Sequence, residues 1–497
     1  SFQMIDTCGA EFSSLTPYFY GSWSGRTEVT PSSRKKVAVL GAGPIRIGQG
    51  IEFDYCSVHA VRALQKAGYE TIMINNNPET VSTDFEVADR LYVEPLTIED
   101  VVHVLEAEQC QQVLVQFGGQ TAITLAAELE QLGYQLLGTT ADTIDEMEDR
   151  DRFYQFLDRL QIDRIPGQEV SNEEELTAIV KELGYPLMIR PSYVIGGKGM
   201  HRLTTATDLE KLLPEMAFPI LVDAYIEGHE FEVDCISDKT TTYVPVIMEQ
   251  IEAAGVHSGD STMILPPVSA PASLQDEIER IAQTIGQHLD YQGAFNIQFV
   301  VKDQTVYVLE INPRASRTLP IVSKVTGQPL LEWAVQAAIG MKVEALPANR
   351  LTLPFHAVKT PVFSTLKLRG VDPMTGPVMR STGETLQWTE AGLAKERFVF
   401  DQTTKTAMAK RTLRICGAGT DAWSEGAAVQ PDTEFDTCLV FFSKSESERE
   451  QREKALAQGA IVITEEHLAQ YFESVQTIPM CTVKPLSEWT TQKERIQ

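Results

Sequence analysis

Three short stretches of this sequence carry residue types at spacings that could do chemistry. The first is Glu310-Ile311-Asn312-Pro313-Arg314, which closes the apolar run Val306–Leu309. Alternate side chains of an extended strand share a face, so Glu310 and Asn312 point together. A carboxylate and an amide oxygen placed that way suit a hard divalent cation, which takes oxygen ligands and bridges phosphate oxygens. Gln298, on the preceding apolar run Phe295–Val301, could bring a third oxygen to the same cluster. Arg314 and Arg317 follow closely, and a planar, permanently charged guanidinium suits phosphate or carboxylate. A strand-end ion pair with a proline turn would use the same letters, but the two arginines just beyond favour a site.

The second stretch is Ser192-Tyr193-Val194-Ile195-Gly196-Gly197-Lys198-Gly199-Met200. Three glycines in four positions leave backbone N–H groups free to surround phosphate oxygens, and Lys198 adds charge. The GxxxxGK[ST] spacing of a Walker loop is absent, and a flexible hairpin turn is an equal alternative. The third is the polar loop Gly255-Val256-His257-Ser258-Gly259-Asp260-Ser261. His257 is either a satisfied turn histidine or, beside a phosphate-transfer site, a contact to nucleotide or substrate. Glu230-Phe231-Glu232-Val233-Asp234 puts acids on one strand face, a pattern that solvated strands also show. Gly41-Ala42-Gly43-Pro44-Ile45-Arg46 stands where a dinucleotide fingerprint would, but Arg46 occupies the position of the third glycine, so this loop has another purpose. Together the glycine flap, the acidic and amide metal ligands and the arginines describe an ATP site without a Walker motif.

Elements that could position these residues are legible in outline. Short buried-strand runs at Val37–Leu40, Glu70–Asn75 and Gln112–Gln116 alternate with helical patterns at Ser57–Lys66 and Ile98–Glu108, which predicts βαβ units and a parallel sheet. Glu148–Leu160 reads as one charged-apolar helix. From there to about Gly340 the pattern is α+β, with strands at Pro186–Ile189, Tyr243–Met248 and Val306–Ile311 and helices at Glu173–Leu183 and Leu274–Leu289. Leu353–Gly383, punctuated by Pro and Gly, reads as irregular. Phe435–Leu486 reads as a small, parallel α/β module.

Composition sets the class. A chain of 497 residues holds about three domains at ~100–200 residues each. With 42 basic and 69 acidic residues the net charge is −27, which disfavours nucleic acid and anionic membrane surfaces as partners. No run reaches the ~18–20 apolar residues of a membrane span. Seven scattered cysteines without CxxC or zinc spacing read as free thiols of a cytoplasmic protein. The start, Ser1-Phe2-Gln3-Met4, suggests a piece of a longer chain.

The non-Walker combination resembles the ATP-grasp enzymes, which hold nucleotide between two α+β lobes and activate a carboxylate as an acyl phosphate. The ordered motifs GAGPIRIGQGIEFDYCSVHA, INNNPETVSTDF, QFGGQT, EDRDRF, IRPSYVIGG, AGVHSGDS and EINPRASRT resemble, more closely, the carbamoyl phosphate synthetase large chain. The likeness is to its C-terminal half, because AGVHSGDS carries Ser258 where the first half usually has Thr, and it is strong from about Ile5 to Glu384. It implies a tail of a connecting domain and linker (1–34), a Rossmann-like pre-ATP-grasp α/β domain (35–147), an ATP-grasp domain (148–345), an irregular connecting segment (346–400) and a short C-terminal α/β module like the family's regulatory domain (401–497).

That resemblance implies phosphorylation of carbamate by ATP, in arginine or pyrimidine biosynthesis, with Mg2+ or Mn2+ as cofactor and K+ as a further ion. The expected partners are the first synthetase half and the glutaminase small chain. By motif position Arg152 and Arg190 would bind nucleotide phosphates, Gly196 and Gly197 would lie in the flap, Ala224 and Ile226 would meet adenine through backbone, and Glu230 the ribose. Gly255, Val256, His257 and Ser258 would line the pocket. Gln298, Glu310 and Asn312 would hold metal, with Arg314 and Arg317 beside the transferred phosphoryl. Departures are Ala224, where the family often has His, and Thr360, where it has an acid of the ornithine site, although Glu252 and Asp260 of that site are present. The short C-terminal module also departs, so ornithine and nucleotide control are not expected to carry over. Another ATP-grasp carboxylate ligase, or a nucleotide-binding regulatory half without turnover, are the alternatives.

Overall fold

The computed structural model describes residues 1–5, 18–191, 201–343, 346–364 and 367–390, and toward the C-terminus 413–415, 439–441, 449–457 and 461–463. The N-terminal unit is built on a seven-stranded sheet in the order Phe2–Met4, Tyr18–Gly21, Arg90–Val93, Glu70–Asn75, Lys36–Leu40, Gln112–Leu114, Gln135–Leu136. All pairings are parallel except that of the first two strands. Lys36–Leu40 and Glu70–Asn75 are buried along their whole length. That is why they read as continuous apolar runs, since a parallel sheet is covered on both faces.

Helix Gly50–Lys66 buries Phe53, Cys56, Ser57, Ala60, Val61 and Leu64, a stripe at helical spacing. On one side it meets strand Lys36–Leu40, on the other helix Leu330–Ala338 of the next unit. One continuous apolar core therefore joins Val37, Val39, Val61 and Leu64 to Val322, Leu331 and Val335. Strand order reverses at Lys36–Leu40, and the loop after it runs past Gly118, where an added Cβ would meet the carbonyls of Leu40 and Gly41. In open α/β sheets such a reversal leaves a crevice beyond the strand ends.

The middle of the chain forms two antiparallel sheets. A small one runs His201–Leu203, Leu187–Pro191, Ile220–Ala224, Gly167–Val170, with its own core of Val170, Leu176, Ile179, Leu187, Ile189 and Val222. Its helix Glu173–Leu183 starts at an Asn172 side-chain cap and carries Glu173, Glu174 and Glu175 in the first turn, where the helix dipole favours acids. The large one runs Thr305–Asn312, Gly293–Lys302, His229–Ser237, Ile247–Gln250, Met263–Leu265, Phe355–Val362, Gly383–Glu390, with Thr242–Tyr243 beside His229–Ser237. Helix Ala272–His288 covers it with Ile278, Ile281, Ala282 and Ile285.

One segment meets the sequence expectation and another differs from it. The helix expected over Glu148–Leu160 is present as Arg150–Arg159, its start set by Asp149, which separates it from the preceding helix Ala141–Glu148. Asp149 is extended and its carboxylate accepts the Arg152 N–H at 2.9 Å, so a side-chain cap displaces the helical continuation. Within Leu353–Gly383, read as irregular, lies the strand Phe355–Val362, held between Met263–Leu265 and Gly383–Glu390. Its polar letters, Lys359 and Thr360, are buried rather than exposed, which hid the strand.

Of the segment 401–497, read as a C-terminal α/β module, only short pieces are among the described residues. Strands Leu413–Ile415, Leu439–Phe441 and Ile461–Ile463 are parallel, and helix Arg449–Ala457 lies between the last two in sequence. The rest of the module expected up to Leu486 lies outside the described residues. Among the described residues no helix is long and apolar enough to cross a membrane.

Candidate active site

Register turns separate stretches of sequence into one polar surface. On the large sheet Glu232 stands opposite Gln298, and Gln298 opposite Glu310; one step along, Asp234 stands opposite Asn296 and Asn296 opposite Asn312. Alternation keeps both rows on one face. The Asn312 amide donates to Glu310 Oε1 at 3.0 Å, and Arg314 Nη2 donates to Asn312 Oδ1 at 3.3 Å. Gln298, Glu310 and Asn312 are thus brought together, with Arg314 adjoining them.

Arg314 also donates from Nε to Gln120 Oε1 at 3.2 Å and lies 5.6 Å over the Phe53 ring. Burial lowers its pKa, opposed by Glu310. Arg317 points to the N-terminal unit instead. Its Nη2 donates to the Gly48 carbonyl at 2.8 Å and lies 3.6 Å from Glu52 and 3.5 Å from Glu384. Burial pushes the Glu52 carboxyl up; Arg317 opposes this and Glu384 adds to it. The loop around Arg46 and Gly48 is thus brought against Arg317.

The loop 255–261 closes the other side. Gly255 N–H donates to Glu230 Oε1 at 2.9 Å. Burial pushes Glu230 up to about 7, an effect that this hydrogen bond opposes. Gly259 N–H donates to His257 Nδ1 at 3.0 Å, which leaves the ring proton on Nε2 in the neutral form. Burial holds His257 neutral, down to about 4. Lys359, almost wholly buried, gathers the loop by donating to the carbonyls of Ser258 at 2.8 Å and Ser261 at 2.9 Å. Asp260 accepts the N–H groups of Arg380 at 2.6 Å and Ser381 at 2.9 Å.

The connection between the two antiparallel sheets carries the remaining expected residues. Ala224 ends Ile220–Ala224, Ile226 follows, and Glu230 lies in His229–Ser237. Between them Tyr225 ties this connection to the loop, its Oη donating to the Ala254 carbonyl at 2.5 Å. Arg190, on Leu187–Pro191, pairs with Asp223 at 2.7 Å, and Tyr154 Oη donates to the same carboxylate at 2.6 Å. Gly196, Gly197 and Lys198 lie outside the described residues.

Arg152 is placed on the outer face of its helix, paired with Asp142 at 2.8 Å and Asp145 at 2.5 Å. Arg150 is the arginine that turns inward. Its Nη1 donates to the Leu309 carbonyl at 2.9 Å, and it lies over the rings of Phe153 and Tyr154. Burial lowers its pKa, and Arg190 lowers it further. Residues two apart on a helix do not share a face. The missed signal was the spacing of Arg150 to the buried rings three and four residues on.

One carboxylate and two amides make a hard oxygen set, suited to Mg2+ rather than to softer metals. Among the described residues no group of three or more His, Cys, Asp or Glu is arranged to hold a metal, so nucleotide phosphate oxygens would have to complete the shell. The residues fit a cation carried on a nucleotide.

Comparison with known proteins agrees with this geometry. Residues 33–146 match the family model of the carbamoyl phosphate synthase preATP-grasp domain, and 149–346 that of the carbamoyl-phosphate synthase L chain, ATP binding domain. The chain is 47% identical, along 100% of its length, to 50% of a carbamoyl phosphate synthase arginine-specific large chain from Geobacillus stearothermophilus. It is 43% identical, over 95% of its length, to 47% of the like-named chain of Bacillus subtilis. The chain thus spans about half the length of the curated relatives it matches. Among solved structures, the biotin carboxylase domain of Hydrogenobacter thermophilus 2-oxoglutarate carboxylase, solved with MgADP, ADP and bicarbonate, superposes with a TM-score of 0.58 at 17% identity, covering 75% of this chain and 90% of that one. N5-carboxyaminoimidazole ribonucleotide synthetase of Thermus thermophilus gives 0.55 at 18%, covering 75% and 99%. At these identities the likeness is one of fold, that of the ATP-grasp enzymes.

Proposed function

Because this chain belongs to the carbamoyl phosphate synthase large-chain family, we propose that it is the half that phosphorylates carbamate with ATP, releasing carbamoyl phosphate and ADP. The observation that carries this is the row of Gln298, Glu310 and Asn312 on one sheet face, with Arg314 adjoining it and Arg317 three residues further on. Arg150 and Arg190, both partly buried, are the cations for the nucleotide phosphates, and Arg152 stays outside in its pairs with Asp142 and Asp145. Ala224, Ile226 and Glu230 receive the nucleoside beside Gly255, Val256, His257 and Ser258. Gly196 and Gly197, which motif position assigns to the phosphates, lie outside the described residues.

Gln298, Glu310 and Asn312 would hold Mg2+, which supplies charge neutralisation to the phosphoryl group in flight. Arg314 presents fixed positive charge beside the metal ligands, where the transferred oxygens gather, and Arg317, held by Gly48, Glu52 and Glu384, adds charge from the side of the N-terminal unit. Neutral His257 offers Nε2–H as a donor and cannot act as a cation near neutral pH. The partners implied are the other synthetase half and a glutaminase small chain, and the setting is arginine biosynthesis in the cytoplasm.

The test is ATP formation from ADP and carbamoyl phosphate with Mg2+, comparing wild type with Glu310→Gln. Losing even an outer-shell partner of a metal site costs about 10–100-fold in metal affinity or activity, so loss of a direct carboxylate ligand should cost at least that. ATP formation that falls by that factor in a folded variant supports both the acceptor and the role of Glu310. Bicarbonate-dependent ATP hydrolysis without any ATP formation from carbamoyl phosphate would assign the chain to the other phosphorylation.

A further inference from the structure

Next to the segment that carries Arg314 and Arg317 lies a buried polar cluster, whose Glu232 and Asn296 stand opposite Gln298 and Asn312 in the sheet register. Glu232, Asp234, Asn296, Ser316 and Thr318 are all buried, with Asp234 and Asn296 at 1% exposure. The Asn296 amide donates to Glu232 Oε1 at 2.8 Å and to Asp234 Oδ1 at 3.0 Å. Ser316 Oγ donates to Asp234 Oδ1 at 2.5 Å. Thr318 Oγ1 lies 2.8 Å from Asp234 Oδ2 and 3.0 Å from Glu232 Oε1, and its one proton serves one of them at a time.

Ser316 also accepts. Its Oγ takes the N–H of Thr318 at 3.1 Å and of Leu319 at 3.0 Å, the amides that open helix Leu319–Thr326. The hydroxyl is therefore fixed on both sides, by an acid below and by two amides above. It stands between Arg314 and Arg317 in the chain. The backbone here is held at one more point, where Ala315 N–H donates to the Gln116 carbonyl at 2.8 Å. A buried carboxylate is costly without partners. Its presence at a position where an apolar residue would pack is unexplained by folding alone, and explained if it holds the arginine-bearing segment.

We infer that Asp234, acting through the hydroxyls of Ser316 and Thr318, is a positioning residue for Arg314 and Arg317. The chemical step that this serves is the one proposed above, and the inference rests on that reading for its kinetic consequence. Displacement of a reacting group by about 1 Å from a remote change costs about 10²-fold in rate.

The test uses Ser316→Ala, Asp234→Asn and the conservative Ser316→Thr in the full chain. Phenylglyoxal modification of Arg314 and Arg317, mapped by mass spectrometry, reads the position of the guanidinium groups without reference to the reaction; Arg350, paired with Asp276, reports general unfolding. The expected result is modification of Arg314 and Arg317 at least tenfold faster in Ser316→Ala and Asp234→Asn, with Arg350 unchanged and Ser316→Thr near wild type. In the ATP-forming assay kcat falls about 10²-fold with KM for ADP within threefold. Unchanged modification rates overturn the inference, and so do rates that rise equally at Arg350 or that Ser316→Thr does not restore. A wild type that forms no ATP, with the modification pattern as expected, removes the acceptor and keeps the positioning role.

Discussion

Gly48 is the residue at which the sequence motif GAGPIRIGQ meets the chemistry, and Gly48→Ala is the sharpest perturbation of that contact. Gly48 has φ of +93°, and an added Cβ would stand 2.5 Å from the Ser381 carbonyl oxygen and 3.0 Å from Thr382 Cα. Its own carbonyl receives Arg317 Nη2 at 2.8 Å. The left-handed backbone costs a side chain roughly 1–2 kcal/mol. Overpacking against backbone that cannot rotate away adds about 1–3 kcal/mol. The sum is about 2–5 kcal/mol, or a fall of roughly 4–20 °C in Tm at ~2–4 °C per kcal/mol. The loop relieves the clash by moving, which pulls the carbonyl from Arg317. A hydrogen bond to a charged group is worth about 1.5–3 kcal/mol, so kcat/KM falls about 10–100-fold. Gly340→Ala is the control, because Gly340 has φ of +78° with nothing within 4 Å of its Cβ position. It loses only the backbone term, roughly 1–2 kcal/mol, and keeps its activity. Thermal unfolding and the ATP-forming assay on both variants decide it. Equal Tm shifts in the two, or wild-type activity in Gly48→Ala, would refute the reasoning.

Two further outcomes are expected. Burial pushes Glu252 up to about 7 in the folded chain, so its contribution to stability is present at low pH and lost as pH rises from about 4.5 to 7. Glu252→Gln keeps the acceptor for Thr262 N–H, now at 2.6 Å, and should lose less Tm than wild type between pH 5 and pH 8; parallel curves would contradict this. Arg452, fully buried on helix Arg449–Ala457, pairs with Asp372 at 2.8 Å. Removing one partner of a buried pair costs about 3–5 kcal/mol, and less here because Arg380 also holds Asp372 at 3.0 Å. Arg452→Met should therefore speed hydrogen exchange in 449–457 while Lys36–Leu40 keeps its protection; unchanged exchange in the helix would rule out that anchor.

Much of this was legible without coordinates, for particular reasons. A period of two places Glu310 and Asn312 together whatever the rest of the chain does, and the ordered motifs around them resemble one family strongly enough to name it. Alternating strand and helix runs likewise imply the parallel sheet, because burial on both faces leaves no polar letters in Val37–Leu40 or Ile72–Ile74. These are local consequences of backbone geometry and of burial. What only the tertiary structure decided is which distant segments meet. Gly48 and Arg317 are 269 residues apart, and no periodicity links them. The rows Glu232, Gln298, Glu310 and Asp234, Asn296, Asn312 exist because of strand register, which is set by pairing across the sheet rather than by any one strand's letters. Motif position singled out Arg152, whereas the capped helix start at Asp149 decides that Arg150 is the one that turns inward. Lys359 lies in a segment that read as irregular; three carbonyls of the loop 255–261, all within 3.4 Å of its ammonium, are what let it be buried. Local geometry follows from the residues in order, whereas the partners that satisfy a buried charge come from wherever the fold brings them.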